Sequence, residues 1–438
     1  MSFTVYLNDL MTKNHQLFQQ HSGLRWMNPY QALEMENRRN SLIAQFSDEV
    51  KWGFKGTKPY LRSLSKGCQL CGEGEWSCLF ITGKCNANCF YCPTAQRLDH
   101  APATQQFSFD KAEDYAAYLN KMGFKGVSFS GGEPLLFFDR LTNFLRVVRQ
   151  RCAPDLYIWM YTNGKLLTKE KAKILADLGL DEIRFDIGAT HYHIETINFA
   201  KGVIPNITVE IPAVAEETEH LKKLLPDLVE AGVTNLNLHQ MRLTEYNASQ
   251  LEKHNYTYLH GEAPVVAESE ISALEIMQFV AQEKIPIGVN YCGFQYKNRF
   301  QKSGYRRKLA ENFGNPDAWI TEAGYVSEIS KHHFSEHKPT TLDQFLQEKD
   351  GLTSIFIRFS GLLLQPVLDT NEPHELTIGN NNYKILIKTV VSEMEILKED
   401  IDELTGILSG ENTSPPESAN LFKVWRHTQI ERGLRDYY

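Results

Sequence analysis

The sequence predicts an α/β protein organised around a parallel sheet, and three observations carry that expectation. Short apolar runs alternate with amphipathic stretches of helical period across residues 78–290, the pattern of right-handed β-α-β units. At 438 residues the chain is long enough for about three domains, each with a substantial core. Apolar residues make up 42% and charged residues 23%, a globular balance that excludes disordered and fibrous classes. On pattern alone, a full or partial barrel and a doubly wound sheet both satisfy the alternation. Either places chemistry at the C-terminal ends of the strands.

The elements follow in order. Residues 1–67 read as a mainly helical segment, with Asn28-Pro29 opening a helix to about Val50. Strands are expected at 78–83, 126–130, 157–162, 182–186, 207–211, 235–239 and 286–290. Helices between them are expected at 109–122, 138–150, 169–178, 218–231 and 269–283. After about Asp317 the pattern changes to strand-like runs at 320–330, 354–369 and 383–392, then one helix over 393–408 and a Gly/Ser/Pro/Glu linker at 409–418. This gives a helical segment (1–67), a Cys-rich knuckle (68–78), a core (79–292), a basic linker (293–316) and a C-terminal α+β domain (317–438).

A net charge of −8 argues against a dedicated nucleic-acid binder or a cationic membrane coat. No window reaches the ~18 apolar residues of a membrane span, and the first twenty residues lack the basic and apolar regions of a signal peptide. Six of the eight cysteines fall between Cys68 and Cys92, which in a cytoplasmic chain points to metal rather than disulfides.

The strongest motif is Cys85-Asn86-Ala87-Asn88-Cys89-Phe90-Tyr91-Cys92, three thiols in a loop directly after a strand. A cubane iron–sulfur cluster needs four ligands, so three local thiolates leave one iron free for another ligand. Ser130-Gly131-Gly132-Glu133-Pro134 ends the next expected strand, and Tyr161-Thr162-Asn163-Gly164 the one after. Over about 79–290 this series resembles the radical S-adenosylmethionine (SAM) superfamily, and within it a group related to pyruvate formate-lyase activating enzyme. The resemblance implies a partial (β/α)6 TIM-like barrel, with a [4Fe-4S] cluster on Cys85, Cys89 and Cys92. It also implies reductive cleavage of SAM to a 5′-deoxyadenosyl radical that abstracts hydrogen from a substrate, with a flavodoxin- or ferredoxin-like protein as reductant. It assigns Gly131, Gly132 and Glu133 to SAM, places Thr162 and Asn163 near its carboxylate or ribose, and sets Tyr91 beside adenine. Asp186, Glu210 and His239 end later strands and are further candidates for binding the cofactor.

Two more signals stand outside the motif. Cys68-x2-Cys71-x6-Cys78 is one ligand short of a tetrathiolate site, and Cys292, following the last expected strand, is the nominated fourth; the centre is an auxiliary Fe–S cluster or Zn. Residues 295–308 carry six Lys or Arg without an acid, and Lys297, Arg299, Arg306 and Arg307 are the expected contacts of an anionic substrate. His191, His193, His332 and His333 read as surface or capping residues. The alternatives are a glycyl-radical-enzyme activase and a non-catalytic Fe–S or zinc protein.

Overall fold

The computed structural model describes residues 3–46, 48–105, 107–314, 318–330, 340–366, 376–412 and 414–428. The chain divides into two units, one built on Lys13–Lys297 and the other joining Met1–Thr12 to Asn298–Arg432.

In the first unit, α1 (Pro29–Ala44) has the Asn28 cap that the sequence predicts, with a complete capping box to Gln31, but it stops six residues before Val50. The reason is tertiary: β1 (Val50–Trp52) and β2 (Lys58–Leu61) pair with each other, and β2 joins the main sheet antiparallel to its last parallel strand. The segment read as helical therefore supplies sheet edge. After α2 (Lys66–Glu73), β3 (Trp76–Thr82) opens the parallel run, continued by β4 (Gly126–Gly131), β5 (Tyr157–Thr162), β6 (Glu182–Phe185), β7 (Asn206–Pro212), β8 (Asn235–His239) and β9 (Gly288–Cys292). They lie side by side in chain order. This is the partial barrel of the expected class, with seven parallel strands instead of six, because β9 pairs in register with β8.

Strand period and register sort the side chains into two faces. Leu79, Val127, Phe129, Ile158, Met160, Ile183, Val209, Leu236, Leu238 and Val289 are buried on one face. On the other, the registered pairs Cys78–Ser128, Tyr161–Arg184, Arg184–Thr208, Glu210–Asn237, Asn237–Asn290 and His239–Cys292 make an interior that is polar almost throughout. Helix α2, capped at Ser65, lies against this polar face: a side chain at Gly67 would meet Arg184, Glu182 and Trp159.

Arg184 organises that interior. Its side chain is 3% exposed and donates to Glu182 at 2.9 Å, Glu210 at 2.7 Å and Ser65 Oγ at 3.0 Å. Glu182 also accepts from Thr208 at 2.7 Å and Tyr157 at 3.2 Å. Buried carboxylates are tolerated only with such partners.

In the second unit a five-stranded antiparallel sheet follows the order β10 (Trp319–Ile320), β11 (Val326–Ser330), β12 (Ser354–Pro366), β14 (Asn381–Leu397), β13 (Leu376–Ile378). The helix expected from 393 starts only at Ile401, since Glu395, Ile396 and Leu397 pair with Phe356, Ile355 and Ser354. The basic stretch expected as a linker is largely helical, with a helix at Ser303–Phe313. Arg306 donates to Ala323 O at 2.8 Å and lies over the Tyr325 ring, and Arg307 donates to Glu322 O at 2.8 Å. Each guanidinium thus anchors the turn before β11 through one main-chain carbonyl. His332 and His333 lie outside the described residues, as do the side chains of Asn298 and Arg299.

Replacing Arg184 by Met should leave Glu182 and Glu210 as buried, under-compensated carboxylates and destabilise the protein by about 3–5 kcal/mol. Denaturant unfolding followed by tryptophan fluorescence checks this; an unchanged midpoint would mean the network does not support the interior.

Candidate active site

The cysteine loop begins where β3 ends, and the chain crosses there against the end of β4. Gly132 N donates to Thr82 O at 2.8 Å and Glu133 N to Lys84 O at 2.9 Å. Gly131 has φ +134°, and a Cβ on Gly131 or Gly132 would collide with the Thr82 or Lys84 carbonyl. The two glycines are thus required by backbone packed on backbone.

The Glu133 carboxylate, fully buried, ties the next elements together. It accepts from Thr162 Oγ1 at 2.8 Å, Asn163 N at 2.7 Å and Leu135 N at 3.0 Å. Burial raises its pKa and the three donors oppose the rise. Asn163 in turn donates to Asn86 Oδ1 at 2.7 Å within the cysteine loop. The far end of the loop is held by Asn247 Nδ2 on Tyr91 O at 3.1 Å, Thr244 Oγ1 on Pro93 O at 3.1 Å, and His254 stacked on Phe90. The Tyr91 hydroxyl donates to Asp186 Oδ1 at 2.8 Å, in a space that a side chain at Gly188 would fill.

Each thiol of the loop has a polar neighbour. Ala87 N donates to Cys85 Sγ at 3.4 Å and Gln96 Nε2 to Cys92 Sγ at 2.8 Å, while the Tyr91 hydroxyl is a hydrogen-bonding partner of Cys89. Burial, Asp186 and the two neighbouring thiols push Cys89 up to about 12; burial likewise lifts Asp186 to about 6. A cavity of about 730 Å³ opens over the loop, within the usual range for a small-molecule site. Cys85, Cys89, Tyr91, Lys165, Gly188, His191 and Glu217 are among the residues lining it. Its walls come from segments that follow β3, β5, β6 and β7, the C-terminal strand ends where the alternation predicts chemistry.

Thr162, Asn163, Glu133 and Asp186 are therefore joined to the cysteine loop, directly or through one hydrogen bond. Glu210 and His239 belong to a different group, deeper on the polar face. Glu210 pairs with Arg184 and accepts from Asn237 at 2.9 Å, and burial together with Lys297 pushes His239 down to about 3, so the ring is neutral. Sequence reading missed three residues in this deeper group: Lys58, Asn237 and Tyr296. In the sequence Lys58 is one charge in a segment read as mainly helical, yet it is fully buried. Cys78 hydrogen-bonds Ser128 and Ser130, and burial pushes it up to about 11. Among the described residues, no three His, Cys, Asp or Glu side chains converge as a single metal ion requires.

Residues 79–211 match the family model of the radical SAM superfamily. They form a radical SAM domain. The chain is 28% identical over 276 residues to a Methanocaldococcus jannaschii protein described as a candidate glycyl-radical enzyme activating enzyme, covering 60% of this chain and 72% of that one. It is 32% identical over 108 residues to the GTP 3′,8-cyclase of Aquifex aeolicus, 24% of this chain and 33% of the cyclase. The chain thus spans about a third of that cyclase's length. Among solved structures, SuiB of Streptococcus suis with its precursor peptide is similar at a TM-score of 0.39 and 15% identity, over 52% of this chain and 53% of that one.

A radical SAM domain is catalytic and implies a [4Fe-4S] cluster and SAM. The residues present fit both groups. Burial and neighbouring thiols raise the pKa of Cys85 and Cys89, an effect that a bound cationic cluster would reverse, and Cys85 and Cys92 already accept hydrogen bonds of the kind that ligating sulfur needs. Among the described residues, no helix is long and apolar enough to cross a membrane.

Gly132→Ala should force Lys84 away from β4, costing about 1–3 kcal/mol and lowering the iron bound by the loop. Iron analysis and a thermal melt check this together; wild-type values for both would remove the close backbone crossing from the account.

Proposed function

We propose that this chain is a radical SAM enzyme in which Cys85, Cys89 and Cys92 hold the cluster. The block formed by Glu133, Thr162 and Asn163 fixes the methionine end of SAM beside it. Tyr91, Asp186 and Gly188 form the adenosine side of the cavity. The observation that supports this reading most is the Glu133 carboxylate, which joins the Gly-Gly-Glu turn to the Thr-Asn-Gly turn, while Asn163 carries the connection into the cysteine loop. Held by Cys85, Cys89 and Cys92, a [4Fe-4S] cluster would supply, once reduced, the electron for cleavage of SAM to methionine and a 5′-deoxyadenosyl radical able to take hydrogen from substrate. The protein's part is to hold SAM still, close the site to bulk water and keep Asp186 bonded to Tyr91. Glu210 and His239 act further in, shaping the polar interior.

The reductant in this reading is a flavodoxin- or ferredoxin-like protein, and the setting is cytoplasmic, in keeping with eight free cysteines. Lys297, Arg299, Arg306 and Arg307 are the residues this reading sets against an anionic substrate group; Lys297 has Glu210 and Lys58 as charged neighbours and Cys292 and Cys71 nearby. An auxiliary metal centre drawn from the Cys68–Cys78 segment and Cys292 belongs to the same reading. A glycyl-radical activase is the second reading, favoured by the relative matched over 72% of its length.

Protein purified without oxygen, reduced with dithionite and given SAM should release 5′-deoxyadenosine and methionine, measured by liquid chromatography with mass spectrometry. Replacing Cys85, Cys89 and Cys92 together by Ala should reduce the yield to background. Fully iron-loaded wild type that leaves SAM intact would overturn the assignment.

A further inference from the structure

Lys58 presents a physical problem that the SAM site does not solve. Its side chain is 0% exposed, and a buried ammonium needs a compensating negative charge. Among the described residues no carboxylate pairs with it. Its hydrogen-bond partner is Cys292 Sγ at 2.6 Å, Cys68 and Cys71 are its other sulfur neighbours, and the Tyr296 ring lies 4.2 Å away. Negative charge at this place has to come from sulfur.

The three sulfurs are also met by three different donors. Lys58 Nζ bonds Cys292, Asn237 Nδ2 bonds Cys68 at 3.1 Å, and the Tyr296 hydroxyl bonds Cys71. A neutral thiol is a weak acceptor, so three directed donors suit sulfur that carries charge. The signature loop uses the same device on Cys85 and Cys92. The ligands come from separated elements that the fold brings together. Cys68 and Cys71 sit three residues apart on α2 and so share one face, and Cys292 ends β9 beside β2, which carries Lys58.

We propose that Cys68, Cys71 and Cys292 bind a second [4Fe-4S] cluster, with Lys58, Asn237 and Tyr296 as the donors to its thiolates. Three thiolates on an oxidised cubane leave a net charge of about −1, and the Lys58 ammonium lies against it, with Lys297 and Glu210 as a second, mutually opposed pair of charges nearby. Among the described residues no three such side chains converge as a lone metal ion requires, whereas a cubane takes one thiolate at each of its separated corners. Cys78 is left out of the ligand set by position: it sits on β3, opposite Ser128 of β4, at the other end of the parallel run from the β2–β9 pair that carries Lys58 and Cys292. Cys152 bonds Ala116 O on the helix Ala112–Met122. The cluster's fourth corner therefore has no cysteine from this chain and is open to an exogenous ligand. This site stands on its own residues, whatever the signature loop does with SAM.

The test is iron and sulfide analysis with electron paramagnetic resonance on anaerobically reconstituted full-length protein. Wild type should hold about eight iron atoms per chain, and the Cys85→Ala, Cys89→Ala, Cys92→Ala variant about four with an intact cubane signal. Adding Cys292→Ala to that variant should remove the remaining iron, while adding Cys78→Ala should not. In the triple variant, Lys58→Met should keep the cluster and shift its reduction potential to more negative values, because a hydrogen bond and a positive charge are lost. Wild type holding about four iron atoms, or a triple variant that binds zinc instead of iron, would overturn the proposal. So would loss of the second cluster on Cys78→Ala with the fold retained by circular dichroism.

Discussion

The candidate site depends on one buried carboxylate. Glu133 sits where water cannot reach it, and a carboxylate in such a place is stable only if donors from its surroundings converge on it. Those donors come from the chain just after it and from the end of β5, so satisfying the charge fixes the two strand ends relative to each other. Because Gly132 and Glu133 also hold the backbone at Thr82 and Lys84, the same constraint reaches the first residues of the cysteine loop. Asn163 and Asn86 close the circuit. Cysteine loop, Gly-Gly-Glu turn and Thr-Asn-Gly turn form one block, and a cluster held on it would be fixed relative to whatever those turns bind.

The polar interior beneath is the second feature that calls for a physical account. A parallel sheet covered by helices usually buries apolar side chains on both faces. Here one face is apolar and the other carries Arg184, Glu182, Glu210, Asn237 and Asn290, each with partners. Such an interior costs stability compared with a packed apolar one, unless every charge is compensated. Arg184 compensates Glu182 and Glu210. Lys58 finds its compensation only among sulfurs, and that makes the thiols around it more than bystanders.

Much of this was legible in the sequence. The alternation gave the parallel strands nearly to the residue, and β5 and β8 run over the expected ranges 157–162 and 235–239. The cysteine spacing, with the two turns that follow, pointed to the block that Cys85, Glu133, Thr162 and Asn163 form, because its members stand at successive strand ends. What was not legible depends on distant contacts. Lys58 and Cys292 are 234 residues apart, and Asn237 and Cys68 are 169 apart, so no local period marks them. The backbone crossing that Gly131 and Gly132 allow was not legible, because a glycine in sequence does not reveal which neighbouring chain needs the space. Arg306 and Arg307 looked free because their acceptors are main-chain carbonyls, which composition cannot show. The helix expected at 393 gave way to strand because long pairing with β12 outweighs local helix propensity.

The central claim is that SAM binds at the cluster carried by the Cys85–Cys92 loop. Electron paramagnetic resonance of the reduced protein, recorded before and after adding SAM labelled with ¹⁵N at its amino group, tests it most directly. The account predicts that the spectrum of the loop's cluster changes and acquires a hyperfine coupling to the ¹⁵N nucleus. A spectrum unaltered by saturating SAM, with the loop's cluster fully reduced, would contradict it.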